Sequence, residues 1–142
     1  MFLEQIVEGK MIFGIGCDIV NIERLNKTDE FLERFGKRIL GKDELQEFLE
    51  DSKNTVREKI IKKLAKRYAA KEAFVKALGT GFRDEIFLSD IQVLHNELGK
   101  PYFKISGKAG AYLQNFCSSA RLQLSLSDDF PIAIAFVIIE SK

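Results

Sequence analysis

Between Thr55 and Leu78 the chain runs for 24 residues without a glycine or proline, rich in Lys, Ala, Leu and Glu, and stops at Gly79. Such residues lose little freedom in a helix. The spacing therefore predicts one long helix, opened by a capping box of Thr55 with Glu58 and closed by the glycine. Whatever fold the chain adopts is built on that element. Before it, IFGIG at residues 12–16 reads as a short buried strand. Its Gly14 and Gly16 leave one side of the pleat bare, so something can approach closely there. Thr28 opens an amphipathic turn carrying Phe31, Leu32 and Phe35, and a second helical piece follows Gly41 through Leu45, Phe48 and Leu49. After the long helix come a Gly-rich corner, GTGF at residues 79–82, and two strands within 90–105 around a turn at 96–99. A short helix near 106–116 follows. RLQLSLS (121–127) and IAIAFVIIE (132–140) then form an antiparallel hairpin. With no internal repeat and no linker, this is a single α+β domain at 11–142, its antiparallel sheet packed with the long helix. Residues 1–10, ahead of the second methionine Met11, stand apart as an N-terminal extension.

Charge and cysteine placement narrow the function. Lys and Arg number 22 against 21 Asp and Glu, a formal charge of +1. No overall basic field exists to hold nucleic acid or an anionic membrane, so any polyanion must be met locally. Cys17 and Cys117 lie 100 positions apart with one histidine, His95, in the whole chain, which excludes a structural zinc site made from them. No apolar run reaches the roughly 18 residues of a membrane helix, and MFLEQIVEGK carries acids where a secretory leader carries bases. The expectation is a cytoplasmic protein with neither membrane nor nucleic-acid partner, in which free thiols are ordinary.

The long helix holds one anomaly. Ile61, Leu64, Ala65, Tyr68 and Val75 share an apolar stripe, and Glu72 projects into its middle. A carboxylate there must be met by Lys76, one turn on, or by a metal ion. Asp18, at the end of the glycine-bearing strand, is either a turn former capping residues 19–25 or a second acid of the same site. Mg²⁺ is held by one or two carboxylates plus waters and substrate phosphates. Two acids beside Lys71, Lys76 and a Gly-rich corner suit a phosphate-bearing substrate, although sequence spacing leaves their proximity open. GTGF is not a P-loop, because it follows its helix and lies at the negative end of the dipole. GKAG at 107–110 has the spacing of a KH-type backbone clamp and keeps a non-catalytic RNA-binding module as an alternative. The serines of LSLSDD cannot join a Ser/His/Asp set with a lone histidine beside a turn.

GIGCDIVNIERL (14–25), RYAAKEAFVKALGTG (67–81), DIQVLHNELGKPYF (90–103) and LSLSDDFPIAIAFVIIE (124–140) together resemble the signature segments of the holo-[acyl-carrier-protein] synthases, the small-subunit type of 4′-phosphopantetheinyl transferase. The resemblance covers Met11 to Glu140. It implies transfer of the 4′-phosphopantetheine arm of coenzyme A to a serine of apo acyl carrier protein, in a homotrimer whose active sites are shared across subunit interfaces. It further implies that Asp18 and Glu72 bind Mg²⁺ and that Lys76 lies near the coenzyme A phosphates. Lys71 and Arg67 match basic positions of the same helix on the coenzyme A side. Gly79 and Gly81 match the corner the donor passes, Pro101 the proline of the GKP turn, and Arg24 a docking contact for the acidic carrier. Glu72 or a water on the metal would accept the serine proton. One departure stands out: a histidine usual after the LSxS strand is replaced by Asp128, and the aromatic four positions on by Ile132. An acid there is expected to repel phosphate, which leaves an inactive carrier-binding scaffold as a further alternative.

Overall fold

The computed structural model describes residues 11–79 and 86–142. The elements run β1 (Ile12–Asn21), α1 (Asp29–Ile39), α2 (Lys42–Asp51), α3 (Arg57–Leu78), β2 (Ile91–His95), β3 (Pro101–Ile105), α4 (Gly107–Phe116), β4 (Ala120–Asp129) and β5 (Ile132–Ser141). A three-stranded antiparallel sheet has the order β1-β5-β4, and β2 and β3 form a separate hairpin. The hairpin of the last two strands is as the alternation of Leu122, Leu124 and Leu126 predicts. The sheet is not confined to the second half, however, because the first strand pairs with the last, Gly16 opposite Val137 and Asp18 opposite Ala135.

α3 lies across this sheet, and the glycines of β1 explain how closely. A methyl group at Gly14 would overlap the carbonyl oxygen of Ala77, and one at Gly16 that of Ala73. The helix answers with small residues, since Ala69, Ala70, Ala73 and Ala77 are all buried. The bare side of the strand is thus filled by the backbone of α3 itself. Around this contact Leu64, Phe74 and Val75 of α3 pack with Ile39, Ile91, Val93, Val137 and Ile139 to form the core. β5 shows the alternation of a half-buried strand: Ala133, Ala135, Val137 and Ile139 point inward, while Ile134 and Phe136 are exposed.

Local signals hold at several places. The Thr28 hydroxyl accepts the Phe31 amide at 3.1 Å and caps α1. Gly79 closes α3 at φ +75, where L side chains are strained. Asn96 Oδ1 accepts the amides of Leu98 and Lys100, each at 2.9 Å, and shapes the β2–β3 turn. Two expectations fail. α3 begins at Arg57 with Val56 as its cap residue and no side-chain cap, because the Thr55 hydroxyl donates backward to the Asp51 and Lys53 carbonyls. β1 has ten residues rather than five and is buried on one face only, with Phe13, Ile15 and Ile19 exposed on the other. The extension at 1–10 and the GTGF corner beyond Gly79, including Gly81, lie outside the described residues.

Candidate active site

Gly14, Gly16 and Asp18 share one face of β1. The glycines let α3 settle onto the strand, and Asp18 is the first side chain beyond them on that face. The Lys76 ammonium donates to its Oδ1 at 2.7 Å and to the Cys17 carbonyl at 3.1 Å. Asp18 is therefore a mid-strand residue and caps nothing. The cap of the 3-10 turn at Ile22–Leu25 is Asn21, whose Oδ1 accepts the Glu23 amide at 3.0 Å. Glu72 stands one turn before Lys76, half-buried. Burial pushes its carboxyl up and the Asp18 charge adds to this, while the Tyr68 hydroxyl and the Lys76 charge pull the other way. Burial and the neighbouring Glu72 push the Tyr68 hydroxyl up to about 12. Lys76 is half-exposed and raised, chiefly by its hydrogen bond to Asp18.

Two carboxylates from facing elements thus converge with one ammonium between them, and that ammonium is already bonded to one of the pair. A strand acid and a helix acid that share one ammonium fit a hard divalent ion, which needs only one or two carboxylates beside water and phosphate oxygens. Among the described residues no group of three or more His, Cys, Asp and Glu offers a fuller cage.

Lys71 and Arg67 turn away from Asp18 and Glu72, toward α2 and β2. Lys71 is wholly buried, and its ammonium donates to Glu44 Oε1 at 2.7 Å and to the Ile91 and Leu88 carbonyls at 2.5 and 3.1 Å. All three protons are engaged, so none is left for a phosphate. Burial pulls this ammonium down to about 8 despite the carboxylate beside it. Glu44, equally buried, also accepts the amides of Gly41 and Val93, each at 3.0 Å. Arg67 reaches Glu47 at 3.2 Å and Glu44 at 3.6 Å, and lies over the Phe48 ring. Glu47 in turn accepts the His95 amide at 2.8 Å and contacts its ring at 3.1 Å. Glu44 and Glu47 join α2, α3 and β2. Only Glu44 had a sequence signal, its position three residues after Gly41 at the helix start.

Arg67 nevertheless forms part of the wall of a cavity of about 500 Å³, together with Lys63, Lys66, His95 and Gly99. Pro101 begins β3 opposite His95, just past the turn at that cavity's edge. Arg24 is exposed in the 3-10 turn that directly follows β1. Asp128 is no bare anion: Lys66 meets it at 2.7 Å and Lys62 at 3.5 Å, and the Lys66 hydrogen bond holds its carboxyl below the usual range. Its charge is thus shared between two lysines of α3.

Residues 14–135 match the family described as the 4′-phosphopantetheinyl transferase superfamily. A holo-[acyl-carrier-protein] synthase of Brucella ovis is 42% identical over 134 residues, 92% of this chain and 96% of that one. Among solved structures, holo-[acyl-carrier-protein] synthase of Neisseria meningitidis superposes with a TM-score of 0.75 at 40% identity, covering 91% of this chain and 98% of that one. The enzyme of Bacillus anthracis, solved in complex with CoA (3′,5′-ADP), gives 0.72 at 32% identity, covering 93% and 99%.

Proposed function

This chain belongs to the 4′-phosphopantetheinyl transferase superfamily, among the holo-[acyl-carrier-protein] synthases, and from that premise we propose the parts its residues take. The enzyme transfers the 4′-phosphopantetheine arm of coenzyme A to apo acyl carrier protein, a step in lipid biosynthesis. A carrier serine hydroxyl attacks the β-phosphorus and adenosine 3′,5′-bisphosphate leaves. Such transfers depend mostly on positioning and charge stabilisation. Asp18 and Glu72 would hold Mg²⁺, which supplies neutralising charge to the pyrophosphate. Lys76 offsets the charge that develops on the leaving phosphate. The serine proton passes to Glu72 or to a water beside it. Gly79 leaves room for the donor at the end of α3, and Arg24 steers the acidic carrier to the edge of β1.

The observation that carries this reading is the pair of acids, Asp18 and Glu72, brought together by β1 and α3 around one partly exposed lysine. The KH-type alternative loses its loop, since GKAG forms the first turn of α4, with the Gly110 amide bonded to the Ser106 carbonyl.

Two further features support the homotrimer with shared sites that the family resemblance implies. Phe13, Ile15 and Ile19 of β1, with Ile134 and Phe136 of β5, form one exposed apolar sheet face, which in water needs a cover. Cyclic assembly of copies provides one. At 100° per residue Glu72 and Lys66 also lie about 120° apart around α3, so one chain turns its acids and the cavity lined by Lys66 to different sides, and the cavity of one copy would serve the acids of the next.

Mass spectrometry of apo carrier protein incubated with the enzyme and coenzyme A, with Mg²⁺ or a chelator, tests the reaction. Gain of one phosphopantetheine only with Mg²⁺ supports the assignment. Equal gain with chelator present removes the metal, and binding of the carrier without transfer leaves the scaffold reading. Native mass spectrometry of the protein and of Ile15→Glu tests the assembly, with a trimer expected for the first and a monomer for the second.

A further inference from the structure

One acid that the mechanism does not use sits against two lysines. Asp128 ends β4 on the side facing α3, where Lys62 and Lys66, one turn apart, continue the row of Ala69, Ala73 and Ala77 along the sheet. Lys66 Nζ is 2.7 Å from its Oδ1 and Lys62 Nζ 3.5 Å from its Oδ2. Lys66 also lines the 500 Å³ cavity, while Lys62 and Asp128 line a neighbouring one of about 270 Å³ with Phe130. Asp128 therefore stands on the rib between the two.

The charge balance of the larger cavity makes this position sensitive. Its walls carry Lys63, Lys66 and Arg67 against Glu47, Asp51 and Glu97. Arg67 is tied to Glu44 and Glu47, and Lys63 donates to the Asp51 carbonyl at 2.8 Å. Lys66 is the cation whose counter-charge comes from outside the cavity. Where three cations face three carboxylates, one further charge decides the sign of the field.

Resting on the reading that coenzyme A is the donor and that its phosphates enter this cavity, we propose that Asp128 is a positioning residue that keeps the phosphate attraction of the cavity below what Lys66 would exert unpaired. It holds Lys66 in one place and cancels one of the two charges of the Lys62–Lys66 pair. Donor and released adenosine 3′,5′-bisphosphate both carry a 3′-phosphate and adjoining phosphate charge, so a cavity with the full charge of Lys66 in its wall and of Lys62 just beyond it would bind the donor tightly and release the product slowly. Asp128 favours release.

Asp128→Asn keeps an acceptor for Lys66 and removes only the charge. The expected result is that the KM for coenzyme A and the inhibition constant of adenosine 3′,5′-bisphosphate fall together, by about three- to tenfold at low salt, and that the gain shrinks as salt screens it. The KM for carrier protein stays as it was. Lys66→Gln shifts both donor-side constants the other way, and the double variant, whose local charge equals that of the unaltered protein, returns toward it. A KM for coenzyme A that is unchanged or raised in Asp128→Asn overturns the proposal, as does an equal change in the KM for carrier protein. Calorimetric titration of adenosine 3′,5′-bisphosphate onto both proteins reads the same affinity change without turnover. An unaltered enzyme that fails to transfer would sink the parent reading, while this titration would still decide the role of Asp128.

Discussion

Lys71 and Glu72 are neighbours in sequence and opposites in circumstance. Lys71 turns toward α2 and β2, meets Glu44 and two carbonyls, and is fully enclosed. Glu72 turns toward β1, meets another acid, and finds its nearest ammonium bonded to that acid. One residue of helix, a rotation of about 100°, separates a closed ion pair from an open pair of carboxylates. The first has no charge left to offer a ligand. The second is complete only when something cationic or protonic joins it, which is the condition of a working site.

The sharpest way to break this contrast is to remove one charge from each side. Glu72→Gln, or Asp18→Asn, is expected to lower Mg²⁺-dependent transfer by about a hundredfold or more, read by mass spectrometry, with a melting temperature equal to or above that of the unaltered protein. Lys71→Met is expected to do the reverse, costing about 3–5 kcal/mol of unfolding free energy by leaving the buried Glu44 with only Arg67, at 3.6 Å, as a cationic neighbour. Denaturant titration measures this, and adding Glu44→Gln should restore part of it. Loss of transfer in Lys71→Met molecules that remain folded would return that lysine to the donor site. Arg24→Glu, on the rim, should raise the KM for carrier protein about fivefold with little change for coenzyme A, and an unchanged KM would move docking elsewhere.

The smallest effect concerns pH. Glu72 holds its proton more tightly in the folded chain than in the unfolded one. Without metal, the protein therefore gains stability as pH falls through the raised value, since the native state then binds the extra proton. Metal binding, which needs the carboxylate, is lost over the same window. Tyr68→Phe removes a hydrogen bond that favours the ionised form, so the acid limb of the rate profile should move to higher pH. A limb that moves down would mean that the hydroxyl does not bear on Glu72.

What the chain disclosed before folding was its local order. The body of the long helix and its stop at Gly79, the cap at Thr28, the Asn96 turn and the closing hairpin each depend on residues close in sequence, and each is legible there. The meeting of Asp18 with Glu72 is not, because it arises from how β1 lies on α3; the only trace is an alternation of Gly14, Gly16 and Asp18, two absent side chains followed by an acid. The fate of Lys71 was hidden for the same reason: its partner is 27 residues away on α2. The exposed face of β1 escaped notice because an apolar run looks alike whether its own chain covers it or another copy does. Family resemblance placed Asp128 beside the donor, but only the fold shows Lys62 and Lys66 waiting for it.

The two glycines of β1 have one more effect. Because Gly14 and Gly16 meet carbonyl oxygens of α3, the separation of strand and helix at the site is a distance between two main chains, with no rotamer in between. A side chain placed there could be exchanged for a longer or shorter one and would retune the gap; an absent one offers no such adjustment. The gauge of the site, the span across which Asp18 and Glu72 face each other, is therefore set by the thickness of the polypeptide itself.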